Sequence, residues 1–315
     1  METYLGVDVG GTKILIGELD KSGNILRYKK YDSGFFNQQS ALETIKASLN
    51  DYIQSVGWVK DKPIAMGVGL IGRVDPGEGI WLQIDPKRTH PIPLAGELEK
   101  AYGIPCFIDN DVKAATRAEM QFGFGQISNN FIYINVGTGI AAGFVVNGKQ
   151  IRGSHFNAGE VGHTQVGVNV GIQCGCGRMD CVEQIASSIG FDKCARLYEN
   201  TMETNLHIPS DLGERVSVNE VFDLSQKNDP LCVHLVETSS QALANLIMNL
   251  VRVSDPDTVV LGGGLVADGY LHTKVLEKLN ATTIRFVKNG IVVTKLNPVF
   301  ISLMGAAAIA MNTQN

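Results

Sequence analysis

Apolar residues along the chain fall into two rhythms, and the rhythms sort the elements. "YLGVDV" (4–9) and "ILIGEL" (14–19) are short aliphatic runs bounded by glycine turns at "GGTK" and "KSGN", the pattern of paired strands. "SALETIKASLNDYIQSV" instead spaces Leu42, Ile45, Leu49, Tyr52, Ile53 and Val56 along one helical face, with Ser40 and Glu43 offering a capping box at its start. "IAMGVGLIG" (64–72) and "PCFIDND" (105–111) read as buried strands, and "VKAATRAEMQF" as a helix opening directly after two acids. Further on, the pattern predicts a long helix from Asp229 to Ser254 and a strand–turn–helix in "TVVLGGGLVADG" (258–269). A strand in "IVVTKL" and a terminal helix in "ISLMGAAAIAM" complete the chain.

One piece of this pattern occurs twice. Residues 131–149, "FIYINVGTGIAAGFVVNGK", replay residues 4–24: apolar strand, Gly/Thr turn, apolar strand, glycine turn. The turn is "DVGGT" in the first copy and "NVGTG" in the second, and Asn147-Gly148 is a hairpin signal in its own right. A duplicated unit predicts two similar lobes, each presenting a Gly/Thr turn to one ligand. A chain of 315 residues is long enough for two domains.

Composition narrows the class. Apolar residues at 44% and charged ones at 19% exclude a disordered or fibrous chain. A net charge of -5, with no run of Lys or Arg, argues against a nucleic-acid surface. No apolar stretch reaches the roughly 20 residues that span a bilayer, so no membrane partner is expected. "METYLGVDVGG" lacks the basic n-region of a signal peptide, which makes the cytoplasm the expected compartment and disulfides unexpected.

The glycine turns carry candidate chemistry. In "DVGGTK", Gly10 and Gly11 let backbone N–H groups turn toward an anion, Thr12 adds a hydroxyl donor and Lys13 a charge. Asp8 is suited to hold a metal ion or its waters beside phosphates. This is no Walker loop, and a plain glycine hairpin is the alternative. Gly137 and Thr138 in "VGTG" share both readings; a third run, Gly262-Gly263-Gly264, tilts the set toward phosphate binding. Gly262, Gly264 and Ala267 also fit the dinucleotide fingerprint, but the region that should supply its acid reads "TTIRFVKNG". A glycine turn approaching an adenosine fits as well. "IDND" puts Asp109 and Asp111 at the end of a strand, where α/β folds bind ligands and a carboxylate can take a proton from a substrate hydroxyl. Helix capping is the competing explanation there.

"GHTQVGVNVGIQCGCGRMDCVE" (162–183) holds three of the chain's six cysteines. Cys174-x-Cys176-x4-Cys181 is not the redox C-x-x-C, but with His163 it supplies a Cys3His set able to close a tetrahedral structural zinc site. Gly171, Gly175 and Gly177 permit the tight loop. A zinc finger for nucleic acid is the rival, yet the loop offers only Arg178 as a cation. Three ordinary small buried residues are the plainer alternative. Glu160 and Glu183 flank the cluster. His90, His155, His207, His234, His272, Cys106, Cys194 and Cys232 show no partner spacing.

Taken together, "DVGGTK", "IDND", "VGTG", "EVGH", "CGCGRMDCVE" and "GGG" resemble, in order and over nearly the whole chain, the ROK family and most closely its sugar-kinase branch. The resemblance implies an α/β, actin-like (RNase H-like) ATPase fold of two lobes with ATP and sugar in the cleft between them, with Mg2+ and a structural Zn2+. It implies an N-terminal lobe of 1–117 plus 299–315 and a C-terminal lobe of 118–298 carrying the zinc loop, in a homodimer or higher homo-oligomer. Asp111 is then the base that deprotonates the sugar hydroxyl, with Asn110 beside it, and Glu160, His163 and Glu183 contact other ring hydroxyls. His163 uses one ring nitrogen for zinc and the other for sugar. Asp8, Gly10, Gly11, Thr12, Lys13, Gly137 and Thr138 serve the phosphates, and Gly262, Gly263 and Gly264 the adenosine.

The implied reaction is phosphorylation of a hexose, at O6 of glucose or a close relative. Four positions depart from the family pattern. Asp180 replaces a usual glycine, in a place where Asp tolerates left-handed geometry. Lys113 replaces a frequent Asn, and "LQIDPKRTHPIPL" (82–94) lacks the Ala-Pro-Asn-Leu pattern of the sugar pocket. Gly72-Arg73 resembles N-acetylmannosamine-kinase members. There Arg73 donates to an acetamido carbonyl or else pairs with Asp75 or Glu78, so N-acetylmannosamine or N-acetylglucosamine is the alternative substrate. A non-catalytic sugar-binding regulator is the alternative class. Family repressors carry an N-terminal helix-turn-helix, for which a first strand at Tyr4 leaves no room.

Overall fold

The computed structural model describes residues 2–34, 37–85 and 87–311. It divides into two compact units: Met1–Ile127 with Gln150–Ala158 and Lys295–Asn315, and Ser128–Lys149 with Gly159–Thr294.

The first unit begins β1 (Thr3–Val9), β2 (Lys13–Asp20), β3 (Ile25–Asp32), α1 (Gln38–Ser55), β4 (Ala65–Leu70). It continues β5 (Arg73–Asp75), β6 (Ile80–Gln83), α2 (Leu94–Tyr102), β7 (Cys106–Asn110) and α3 (Asp111–Phe122). Its sheet runs β3-β2-β1-β4-β7, antiparallel as far as β1 and parallel from β1 to β7. β1 is buried along its whole length, as a central strand covered on both faces must be. Strand alternation then divides its residues. Leu5, Val7 and Val9 join the core beneath α1 and α2, whereas Tyr4 joins the core containing the last helix. The helix cap lies three residues before the place where the sequence puts it: Asn37 is the N-cap, accepting from Ser40 N at 2.9 Å, so Ser40 is the third helical residue. α3 passes position 117 without a break and continues through a 3-10 turn at Phe124–Gln126, which is why the first unit extends to Ile127.

The second unit contains β8 (Phe131–Val136) and β9 (Ile140–Val146), with β10 (Lys149–Gln150) at its boundary. Its helices are α4 (Glu183–Ala186), α5 (Ser188–Tyr198), α6 (Val218–Ser225), α7 (Pro230–Ser254), α8 (Tyr270–Glu277) and α9 (Ala281–Ile284). β11 (Thr258–Gly262) and β12 (Ile291–Val293) complete the sheet, ordered β10-β9-β8-β11-β12. The antiparallel β8–β9 pair followed by parallel β11 and β12 repeats the plan of the first sheet, so the faint sequence repeat is a repeated fold. Asn147 and Gly148 both take positive φ, 51° and 71°, as the tight turn between β9 and β10 demands. No helix opens straight after β11: α8 starts only at Tyr270, so the dinucleotide fingerprint lacks its helix.

The last helix, α10 (Ile301–Met311), returns to the first unit. It lies against β1 and β4 because glycines face it: a Cβ at Gly67 would sit 1.8 Å from Ala306 O, and one at Gly6 2.6 Å from Leu303 O. No helix among the described residues is long and apolar enough to cross a membrane.

Candidate active site and metal centre

In the first unit the parallel strands β1, β4 and β7 end together, and their carboxyl ends carry the acids. Asp8 is paired in register with Gly69, and Leu70 with Asn110. A Cβ at Gly69 would lie 3.9 Å from Asp8 Oδ1 and 3.8 Å from the Asp111 Cα, so both acids flank one point. Burial raises the Asp8 pKa to about 7, the nearby Asp111 carboxylate adds to the rise, and Lys13 opposes it. Two close carboxylates, one of them buried, form a hard oxygen donor set of the kind that suits a divalent cation such as Mg2+. The turn beside them is closed by Gly10 N donating to Lys13 O at 2.9 Å, and nothing lies within 4 Å of a Cβ at Gly11. Gly11 and Thr12 are exposed and Lys13 half-buried.

Asn110 and Asp111 have separate tasks. Asn110 is the N-cap of α3: its Oδ1 accepts from Val112 N at 3.0 Å and Lys113 N at 3.2 Å, and its Nδ2 donates to Gly72 O at 2.9 Å. Asp111 opens the helix, with Oδ1 accepting from Val112 N at 2.9 Å. Gly72 has φ +81°, and a Cβ there would come within 2.2 Å of Gln83 O, so only glycine fits. Arg73 pairs with neither acid the sequence offers it. Asp75 Oδ1 accepts from the Gly77 and Glu78 N–H groups, and the buried Arg73 Nε has no hydrogen-bond partner among the described residues. The segment 82–94 includes Pro86, which lies outside the described residues.

Three contacts here have no signature in the sequence. Asp109, the first acid of "IDND", is buried and ion-paired with Arg152 Nη2 at 2.7 Å, a structural task. Lys113 is buried and donates to the Ala158 carbonyl, while Gln150 Nε2 donates to Lys113 O at 3.0 Å. These links dock 150–158 onto the first unit. The departure at Lys113 singles out that residue in the sequence but neither of its partners.

In the second unit the "VGTG" turn joins β8 to β9, with Gly137 N donating to Gly139 O at 3.0 Å and Thr138 exposed. Gly263, at φ +94°, lies against the end of β8: a Cβ would be 2.3 Å from Val136 O. Gly262 lies over the Tyr133 hydroxyl, and Gly264 is exposed with nothing near it.

The metal cluster is brought together. Ligand atoms of His163, Cys174, Cys176 and Cys181 all lie within 4.8 Å of one another. Cys174 Sγ is 3.4 Å from His163 Nδ1, and Cys176 Sγ is 3.5 Å from Cys181 Sγ. Zinc bonds of about 2.3 Å to sulfur and 2.0 Å to nitrogen fit such a set. Burial and the two neighbouring thiols push Cys181 up to about 12, a crowding of would-be anions that a dication relieves. Asp180 adopts the left-handed φ of +54°, and its Oδ1 accepts from Ile172 N at 2.9 Å and Val170 N at 3.2 Å, closing the loop in place of a glycine. With Nδ1 on the cluster side, His163 Nε2 lies 4.0 Å from Glu160 Oε2. Glu183 Oε2 accepts from Ile140 N at 2.9 Å.

A twice-built five-stranded sheet, with a Gly/Thr hairpin in each copy and acids at the strand ends, defines a two-lobed α/β protein of the actin-like ATPase class. A profile of the ROK family matches residues 4–313, and the chain belongs to that family. A glucokinase from Halalkalibacterium halodurans is 29% identical over 272 residues, 84% of this chain and 81% of that protein. An N-acetylmannosamine kinase from Haemophilus influenzae is 31% identical over 271 residues, 85% of this chain and 82% of that protein. The crystal structure of a ROK family glucokinase from Streptomyces griseus, in complex with glucose and AMPPNP, matches with a TM-score of 0.77 at 26% identity, covering 98% of this chain and 99% of that one.

Proposed function

We propose that this ATP-dependent sugar kinase transfers the γ-phosphoryl group of ATP to O6 of glucose or a close hexose. The observation that carries the reading is the pairing of Asp8 and Asp111 at the ends of β1 and β7, beside an open Gly/Thr turn. Asp111 takes the proton from the acceptor hydroxyl, its carboxylate aimed by the Val112 amide. Asp8 would hold Mg2+, which when bound neutralises phosphate charge. Gly10, Gly11, Thr12, Lys13, Gly137 and Thr138 orient the phosphates, and Gly262, Gly263 and Gly264 face the adenosine. Catalysis is then mainly positioning and charge neutralisation.

Gly72, Asn110, Glu160, His163 and Glu183 take up the sugar. His163 would bind zinc through Nδ1, leaving Nε2 beside Glu160 for a ring hydroxyl. Cys174, Cys176 and Cys181 complete that structural zinc site. The proposal extends to a cytoplasmic homo-oligomer, which light scattering on the purified protein checks.

One observation favours a second substrate reading. The buried Nε–H of Arg73, without a hydrogen-bond partner among the described residues, is a donor suited to an acetamido carbonyl, as in N-acetylmannosamine or N-acetylglucosamine. The test is ATP consumption over glucose, mannose and the two N-acetylated sugars, with wild type, Arg73→Ala and Asp111→Asn. Glucose turnover that falls by about 10²–10⁴-fold in Asp111→Asn supports the reading. A selective loss of kcat/KM for acetylated sugars in Arg73→Ala moves the acetamido reading to first place. A wild type that binds sugar without consuming ATP makes the chain a regulator and overturns the kinase reading.

A further inference from the structure

The Gly137-Thr138 turn is held from outside by the segment that follows the metal ligands. Ser188 N donates to Gly137 O at 2.9 Å, and Ile140 N donates to Glu183 Oε2 at 2.9 Å, so both flanks of the turn hang on one corner, the α4–α5 junction. That corner is itself rigid: the Ser187 hydroxyl donates to Glu183 O at 2.6 Å and its oxygen caps α5 by accepting from Gly190 N at 3.1 Å.

The glycines of the turn point to the same contact. Neither Gly137 nor Gly139 has a positive φ, so backbone strain does not require glycine at either position. A Cβ at Gly139 would lie 2.5 Å from Glu183 Oε2, so a side chain there would push the carboxylate off the hairpin; a Cβ at Gly162 would meet Ile140 O at 2.2 Å and the same carboxylate oxygen at 3.2 Å. The carboxylate thus sits in a notch between two glycines, with its charge on a backbone amide of the hairpin. A charge-assisted bond in such a site is stronger than a neutral one.

We propose that Glu183 and the Ser188 amide are positioning groups for the phosphate-binding turn, so that a residue assigned to the sugar also sets affinity for the nucleotide. The inference rests on the assignment of that turn to phosphates. It predicts an effect that sugar contact alone does not produce, namely weaker nucleotide binding when no sugar is present.

The test is calorimetric binding of a non-hydrolysable ATP analogue with Mg2+ to the sugar-free protein, compared among wild type, Glu183→Ala and Ser188→Pro. Proline suits position 188, the first residue of α5, since no intrahelical bond needs its N–H and Ser187 is extended at φ -89°, ψ 172°. Ser188→Pro therefore removes the bond to Gly137 O and puts a ring carbon against that oxygen, displacing the turn while α5 stays formed, and circular dichroism with thermal melting verifies the helix. Both variants should bind the analogue about tenfold more weakly, the scale of one well-made hydrogen bond. Glu183→Ala should also weaken glucose binding, and Ser188→Pro should not. Wild-type nucleotide affinity in Ser188→Pro, whether or not Glu183→Ala folds, overturns the inference. A wild type that binds no nucleotide overturns the kinase reading and this inference with it.

Discussion

Asp8 shows how much one residue's chemistry depends on its neighbours. The motif "DVGGTK" marks it in the sequence, but its burial and its closeness to Asp111 come from the register of β1, β4 and β7, which no local pattern encodes. The raised pKa has a consequence for stability. Between the ordinary aspartate value near 4 and the folded value of about 7, the native state holds a proton that the unfolded chain releases. Stability from this group is fully present below about pH 4 and is lost as pH rises to about 7. Three pKa units correspond to about 4 kcal/mol as an upper scale. With Mg2+ removed by chelator, Asp8→Asn should therefore be more stable than wild type at pH 8, and the advantage should vanish near pH 4. Urea unfolding at both pH values measures it; a difference independent of pH refutes the assignment. Arg73 and Lys113 teach the same lesson. Their identities stand out in the sequence, whereas the missing acid partner of the first and the Ala158 contact of the second arise only from packing.

At the scale of elements, strongly periodic segments were legible and closely packed ones were less so. α7 and α10 fall where the apolar pattern puts them, because each carries a long buried face. α2, α5 and α6 escaped the pattern, being short and interrupted by polar or glycine positions. The terminal helix also explains glycines that its own sequence does not. Gly67 is a passage for the Ala306 backbone, so Gly67→Ala should destabilise the protein by about 3 kcal/mol or more through overpacking, and near-wild-type stability in chemical denaturation would contradict this contact. The metal loop was legible for the opposite reason. Its spacing alone brings four candidate ligands together, and the structure supplies the distances. Protein purified without a histidine tag should contain about one zinc per chain, and Cys176→Ser should lose it, as measured by elemental analysis. Metal-free wild type of full stability would remove zinc from the reading.

For the whole molecule, the repeat of strand pattern foretold the repeated sheet, while chain order concealed how the units are assembled. Residues 150–158 belong with the first unit through Arg152–Asp109 and Gln150–Lys113, pairings of distant residues that the linear pattern does not announce. Each unit has a core of its own: the second around α7 with Leu235, Leu243 and Ile247, the first on either side of β1 with Val7, Ile45, Tyr4 and Leu303. Separate cores allow separate opening, since local stability follows the contacts a segment buries. All four proposed metal ligands lie in the second unit, as do the α4 and α5 segments that follow them. Stripping zinc with a chelator under reducing conditions should therefore raise amide hydrogen exchange across 162–198. β1, β2 and α10 should keep their protection, although α10 follows the second unit in sequence. Mass spectrometry of the exchanged peptides reads both outcomes in one experiment. An equal loss of protection in β1 and α10 would mean that the two cores open as one, and the metal would then stabilise the entire chain rather than its own unit.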